Sequence, residues 1–136
     1  MKVLVDTSVW SVALRRRSSA SNEPVTSALV SLVEDGRVVI IGSIRQELLS
    51  GIKERAQFER LREHLRAFPD IPVTTDDHED AAAFFNRCRD RGIQASNTDF
   101  LICAVAVRNG FSIFTTDGDF ARVAGVLPIS LYSDAM

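Results

Sequence analysis

The sequence predicts an α/β protein: a three-layer α/β/α sandwich around a central, mainly parallel sheet. Three observations carry that expectation. Residues 3–5 (VLV) and 38–41 (VVII) are short apolar runs rich in β-branched side chains, as expected of strands covered on both faces. Between them lie longer segments whose apolar residues recur at helical spacing. Strands that alternate with helices in this way pair in parallel, because each crossover helix returns the chain to the same end of the sheet.

The elements follow in order. Residues 2–6 read as a buried strand, and Thr7 or Ser8 can cap a short helix holding Val9, Trp10, Val12, Ala13 and Leu14. Trp10 is expected in the core. The polar stretch RRRSSASNE reads as a loop. Pro24 suits the first turn of a second helix carrying Val25, Ala28, Leu29, Leu32 and Val33, closed by Asp35-Gly36. After the second strand, Ser43-x-x-Gln46 has the pattern of a capping box opening a third helix. Beyond Gly51, Phe58, Leu61, Leu65 and Phe68 form one apolar stripe on a charged helix. Pro69 and Pro72 bracket a short extended piece, and a further helix runs from Thr75 to about Arg91, stopped by Gly92. The run FLICAVAV is apolar all round; Asn97 and Thr98 in front and Asn109-Gly110 behind mark it as a helix rather than a strand. Residues 112–115 read as a strand, 119–124 as a short helix and 129–131 as a last strand.

The chain has 136 residues, with 46% hydrophobic and 25% charged, which predicts one soluble domain over residues 1–136. No apolar run is long enough to span a membrane and no signal peptide is visible, so the expected location is the cytoplasm. Cys88 and Cys103 show no metal-binding spacing and are expected to be packing thiols. His64 and His78 fall in polar helical contexts and are expected to be solvated. The net charge of −2 is not that of a protein held to nucleic acid by charge alone. Only Lys2 and Lys53 are lysines among 16 basic residues.

The chemistry is expected where ligands bind in open α/β sheets, beyond the carboxyl ends of the strands. Asp6 closes the first strand. Glu47 lies about one turn into the helix after the second. Asp99 is in the first turn of the buried helix, and Asp117 follows the strand at 112–115, with Asp119 two residues on. Each acid alone has an ordinary structural explanation. Gathered at one edge they would repel one another, and a hard divalent cation such as Mg²⁺ or Mn²⁺ would remove that cost.

The segments VLVDTSVW, SIRQELLSG, NTDFLICAVAVRNG and FTTDGDF, in this order, resemble the PIN-domain ribonucleases, and in particular the VapC-type toxins of bacterial toxin–antitoxin pairs. The resemblance covers essentially the whole chain and is weakest between residues 52 and 79. It implies a Mg²⁺- or Mn²⁺-dependent endoribonuclease in which water attacks an RNA phosphodiester in line. Position by position it places the family's acids on Asp6, Glu47, Asp99 and Asp117, with Asp119 as an additional acid. Asp6, Asp99 and Asp117 are then expected to ligate metal, directly or through water. Glu47 is either a further ligand or a group orienting the attacking water. Ser8 and Thr115 match positions that support the site by hydrogen bonding. The resemblance also implies a cognate antitoxin, a homodimer, and a toxin–antitoxin hetero-oligomer. Arg15, Arg16 and Arg17 follow the first helix, where they would either guide the RNA backbone or form a solvated loop end.

Two rival enzymes also place an aspartate after the first strand. A phosphatase of the haloacid dehalogenase type needs a second acid two residues on and a late lysine; here Ser8 stands at that position and no lysine follows Lys53. A response-regulator receiver domain fails in the same way. The remaining alternative is a PIN-fold binding module without catalytic activity.

Overall fold

A computed structural model describes residues 1–15 and 23–133. Four strands form one sheet: β1 (Val3–Val5), β2 (Val38–Val39), β3 (Ser112–Phe114) and β4 (Ser130–Leu131), in the order β2-β1-β3-β4. Every pairing is parallel, with Val3 opposite both Val38 and Ser112, and Ser112 opposite Ser130. The described helices are α1 (Thr7–Leu14), α2 (Glu23–Glu34), α3 (Gly42–Leu49), α4 (Arg55–Leu65), α5 (Thr75–Asp90), α6 (Asn97–Asn109) and α7 (Gly118–Ala124). The architecture is the three-layer α/β/α sandwich that the alternating pattern predicts.

The order of strands fixes where a site can form. The chain leaves β1, builds α1 and α2, and returns as β2 on one side of β1; after α3 to α6 it returns as β3 on the other side. The two crossovers diverge between β1 and β3, so a crevice opens at the carboxyl ends of those strands. All three residues of β1 are fully buried, each worth about 1.5–3 kcal/mol of hydrophobic stabilisation.

α6 is the buried helix of the fold, with Phe100, Ile102, Cys103, Ala104, Val105 and Ala106 all inside. Gly110 ends it in the left-handed conformation (φ 73°), where a side chain would be strained. The apolar stripe reaches the core at Leu65, the last residue of α4, with Phe58 and Leu61 half-buried on the helix; the helix ends before Phe68, which is half-buried in the segment that follows. Trp10 is a core residue, its ring 5.2 Å from that of Phe68.

Several local expectations are corrected. The first helix is capped by Asp6 rather than Thr7 or Ser8, and the Asp6 side chain makes no capping bond. The Ser43–Gln46 box does not form: α3 begins at Gly42 behind Ile41, and the buried Ser43 hydroxyl has no partner among the described residues. α6 is capped by Ser96, one residue before Asn97. The second strand is shorter than predicted because at Ile40 its partner changes. Ile40 bridges Asp70 in parallel, accepting from the Ile71 N–H at 2.9 Å and donating to the Pro69 carbonyl at 3.1 Å. The extended piece between the prolines therefore lies beside Ile40. Arg45 of α3 adds an ion pair to Asp70 at 3.5 Å.

Asp77 is a buried acid that the sequence did not single out. It forms a capping box with Thr74 at the start of α5 and accepts from Arg108 of α6 at 2.9 Å. Arg108 also pairs with Asp80, so one guanidinium clamps α5 to α6. Burial pushes the Asp77 carboxyl up, but the Thr74 bonds and the Arg108 charge outweigh it and hold the pKa below its ordinary value.

Candidate active site

Asp6 terminates β1 and lies almost wholly buried, 6% exposed. Its backbone is the N-cap of α1, and its N–H extends the sheet by donating to the Phe114 carbonyl at 2.8 Å. The side chain is left for the crevice. Ser8 Oγ donates to Asp6 Oδ2 at 2.8 Å and Thr115 Oγ1 donates to the same oxygen at 2.9 Å. Both hydroxyls also accept a backbone N–H from the loop after β3: Thr116 to Ser8 at 3.0 Å, and Asp117 to Thr115 at 3.0 Å. The two hydroxyls thus fasten the β1 carboxylate to the β3–α7 loop, and that loop carries the next acid.

Asp117 is the N-cap of α7, where its Oδ1 accepts the Asp119 N–H at 2.9 Å. Asp119 pairs through Oδ1 with Arg122 one turn along. Asp99 is the third residue of α6 and forms a capping box with Ser96: its Oδ2 accepts the Ser96 N–H at 3.2 Å, and its own N–H donates to Ser96 Oγ at 3.1 Å. The capping signal that the sequence places at Asn97 and Thr98 therefore belongs to Ser96. It gives Asp99 a second task, because the bond that caps the helix also fixes the carboxylate.

A common pattern emerges. Asp6, Asp99, Asp117 and Asp119 each engage one carboxylate oxygen with a protein donor, and among the described residues each leaves the other without one. Asp99, Asp117 and Asp119 each offer an oxygen within 4.8 Å of the others. Asp6 is outside that tight trio but near enough for its charge to act on Asp99. Burial raises the Asp99 pKa above its ordinary value. The Ser96 bonds oppose that shift, and the negative charges of Asp6 and Asp117 reinforce it. Carboxylates from β1, α6 and the β3–α7 segment therefore meet at the crevice. Glu47 is exposed on α3 and is not part of the tight trio.

This donor set fits a hard divalent cation. Several carboxylates are held with open oxygens, burial and then the charges of Asp6 and Asp117 raise the Asp99 pKa, and neither a histidine nor a thiol belongs to the tight trio. His64 and His78 are exposed, as expected of solvated side chains. The Cys103 thiol is buried behind the site; burial, then the Asp99 charge, push its pKa up to about 12, so it is protonated and inert at neutral pH. Arg15 is exposed at the end of α1, while Arg16 and Arg17 lie outside the described residues.

The family model of the PIN domain matches residues 3–126. The chain belongs to the PIN-domain family. The match runs from β1 past α7 and so takes in every acid of the crevice. Among related PIN proteins, Ribonuclease VapC11 of Mycobacterium tuberculosis is 29% identical over 126 residues, covering 91% of this chain and 92% of its own. Solved structures share the fold. FitAcB from Neisseria gonorrhoeae superimposes with a TM-score of 0.77 at 20% identity, covering 96% of both chains. VapBC-5 from Mycobacterium tuberculosis, a member of the VapBC family of toxin–antitoxin systems, gives 0.69 at 22% identity, covering 96% of this chain and 98% of that one. Among the described residues no helix is long and apolar enough to cross a membrane.

Proposed function

We propose that this PIN-domain protein is a metal-dependent endoribonuclease of the VapC type, acting in the cytoplasm as the toxin of a toxin–antitoxin pair. The observation that carries the reading is the convergence of Asp99, Asp117 and Asp119 beside Asp6 at the crevice between β1 and β3, each with an open carboxylate oxygen. Its relationship to a ribonuclease over nearly the full length of both chains supports RNA as the substrate.

Asp6, Asp99 and Asp117 would hold Mg²⁺ or Mn²⁺, directly or through water, and Asp119 would join them on leaving Arg122. The cation supplies Lewis acidity toward water and neutralises charge developing on the phosphate. The protein's own groups do the positioning. Ser8 and Thr115 fix the Asp6 carboxylate by donating to one oxygen, which would leave the other to hold the cation. Ser96 does the same for Asp99 through its backbone N–H. Glu47, exposed on α3, is the candidate for orienting the attacking water or for joining the ligands. Arg15, exposed at the end of α1, would attract the RNA backbone without choosing its sequence. Likeness in fold to a toxin–antitoxin protein supports an antitoxin partner, with a homodimer within the larger assembly.

Expression without antitoxin in a bacterial host tests the proposal. The wild type should arrest growth, and Asp6→Asn should abolish the arrest while the protein accumulates to the same level. Arrest that persists in the variant would make the chain a binding module instead.

A further inference from the structure

Phe85 on α5 is 36% exposed, more than any other Phe, Tyr or Trp among the described residues. Apolar side chains exposed singly are ordinary, so it is the setting of this ring that matters. This one is held in place: its ring meets that of the buried Phe100 at 5.5 Å and 68°, an edge-to-face contact that fixes Phe85 and leaves part of its surface in solvent. The ring lines a cleft of about 430 Å³ between α5 and α6, together with Asn86, Asn97, Thr98 and Leu101. That volume lies in the range of about 300–1,000 Å³ usual for small-ligand sites. Among the described residues the Asn86 and Asn97 amides have no hydrogen-bond partner, so donors and acceptors are open on the cleft's rim.

The position adds the chemistry. Asn97 and Thr98 immediately precede Asp99 in the first turn of α6, so the cleft wall and an acid of the crevice belong to one turn of one helix. We propose that this cleft binds a nucleobase of single-stranded RNA next to the phosphate presented to the acids, stacked against Phe85 and read at its edge by Asn86 and Asn97. A fixed aromatic ring with open amides beside it is the combination by which proteins hold unpaired bases. A duplex cannot offer it a splayed base, so the cleft selects unpaired RNA. The inference rests on the nuclease reading and adds to it a determinant of where the RNA is cut.

Binding of short homopolymeric oligoribonucleotides to the Asp6→Asn protein in Mg²⁺ tests this, because an inactivated site leaves the RNA intact. Adding Phe85→Leu keeps apolar packing on Phe100 but removes the ring. Stacking is worth roughly 1–3 kcal/mol per base, so affinity for at least one homopolymer should fall about 5- to 150-fold. Asn86→Ala and Asn97→Ala should narrow the difference between homopolymers, and Phe85→Trp should restore binding. Equal affinities and an unchanged order of preference in the Phe85 and Asn variants would overturn the proposal. So would a shift from dimer to monomer on sedimentation of the Phe85→Leu protein, which would assign the face to a second copy of the chain. Failure of the nuclease reading is separately visible, as a wild type with the binding preference intact but no cleavage of the same oligonucleotides.

Discussion

Thr115 donates to the Asp6 carboxylate at 2.9 Å across 109 residues of chain, joining the ends of the two central strands. The same hydroxyl accepts the Asp117 N–H at 3.0 Å, so one side chain sets the positions of two acids. Thr115→Val keeps the shape and removes both bonds. Cleavage should fall about 10- to 100-fold, as is usual when a group that orients a metal ligand is lost. Circular dichroism should show an unchanged fold. Full activity in Thr115→Val would mean that Asp6 needs no such anchor.

The raised Asp99 pKa, caused by burial and then by the charges of Asp6 and Asp117, makes a prediction about cations. A bound divalent ion should raise the thermal midpoint, by about 2.7 kcal/mol of stabilisation at a hundredfold excess over its Kd. Protons compete for the same oxygens. Because Asp99 takes up its proton at a higher pH than an ordinary carboxylate, cation affinity should begin to fall correspondingly early on acidification. Thermal unfolding with and without Mg²⁺ or Mn²⁺ reads the first effect, and calorimetric titration of the cation at several pH values reads the second. A midpoint indifferent to the cation would argue against the site.

Stability at low pH should depend on Asp77. Its pKa is lower in the folded protein than its ordinary 3.8, so its contribution is complete above that value and is lost as pH falls through the folded one. Asp77→Ala removes the capping box and leaves the Thr74 donors unmatched, at a cost of about 1–3 kcal/mol near neutral pH. Urea unfolding of both proteins between neutral and acid pH should show the gap closing below about 3.8. A constant gap would rule out the ionised carboxylate as its source.

Glu47 is exposed, so Glu47→Gln should change stability by no more than about 0.5 kcal/mol. If it orients water or ligates the cation, cleavage should nevertheless drop. Unchanged cleavage would leave it a solvated helix acid.

β1 and β2 were legible because they are buried along their whole length, and short apolar runs rich in β-branched residues have few other uses. Asp6 was legible for a related reason: a carboxylate that closes a buried strand, as Asp6 does at 6% exposure, needs donors or a cation to answer its charge. What the sequence could not supply was competition among partners. Ser43 and Gln46 satisfy a capping pattern, yet Ile41 takes the cap because its backbone leaves the sheet there in an extended conformation. Ser96 wins over Asn97 because Asp99 answers it reciprocally three residues on, a pairing visible in S-N-T-D once the capping box is sought. The Asp77–Arg108 clamp spans 31 residues between two helices and has no local signal at all.

The central claim is that the acids of the β1/β3 crevice cut RNA with a divalent cation. Purified, antitoxin-free protein should be incubated with mixed cellular RNA in Mg²⁺, in Mn²⁺ and in chelator, alongside Asp6→Asn. The account predicts discrete fragments that require the cation and vanish in the variant. Intact RNA with the wild type, or the same fragments with Asp6→Asn, would contradict it.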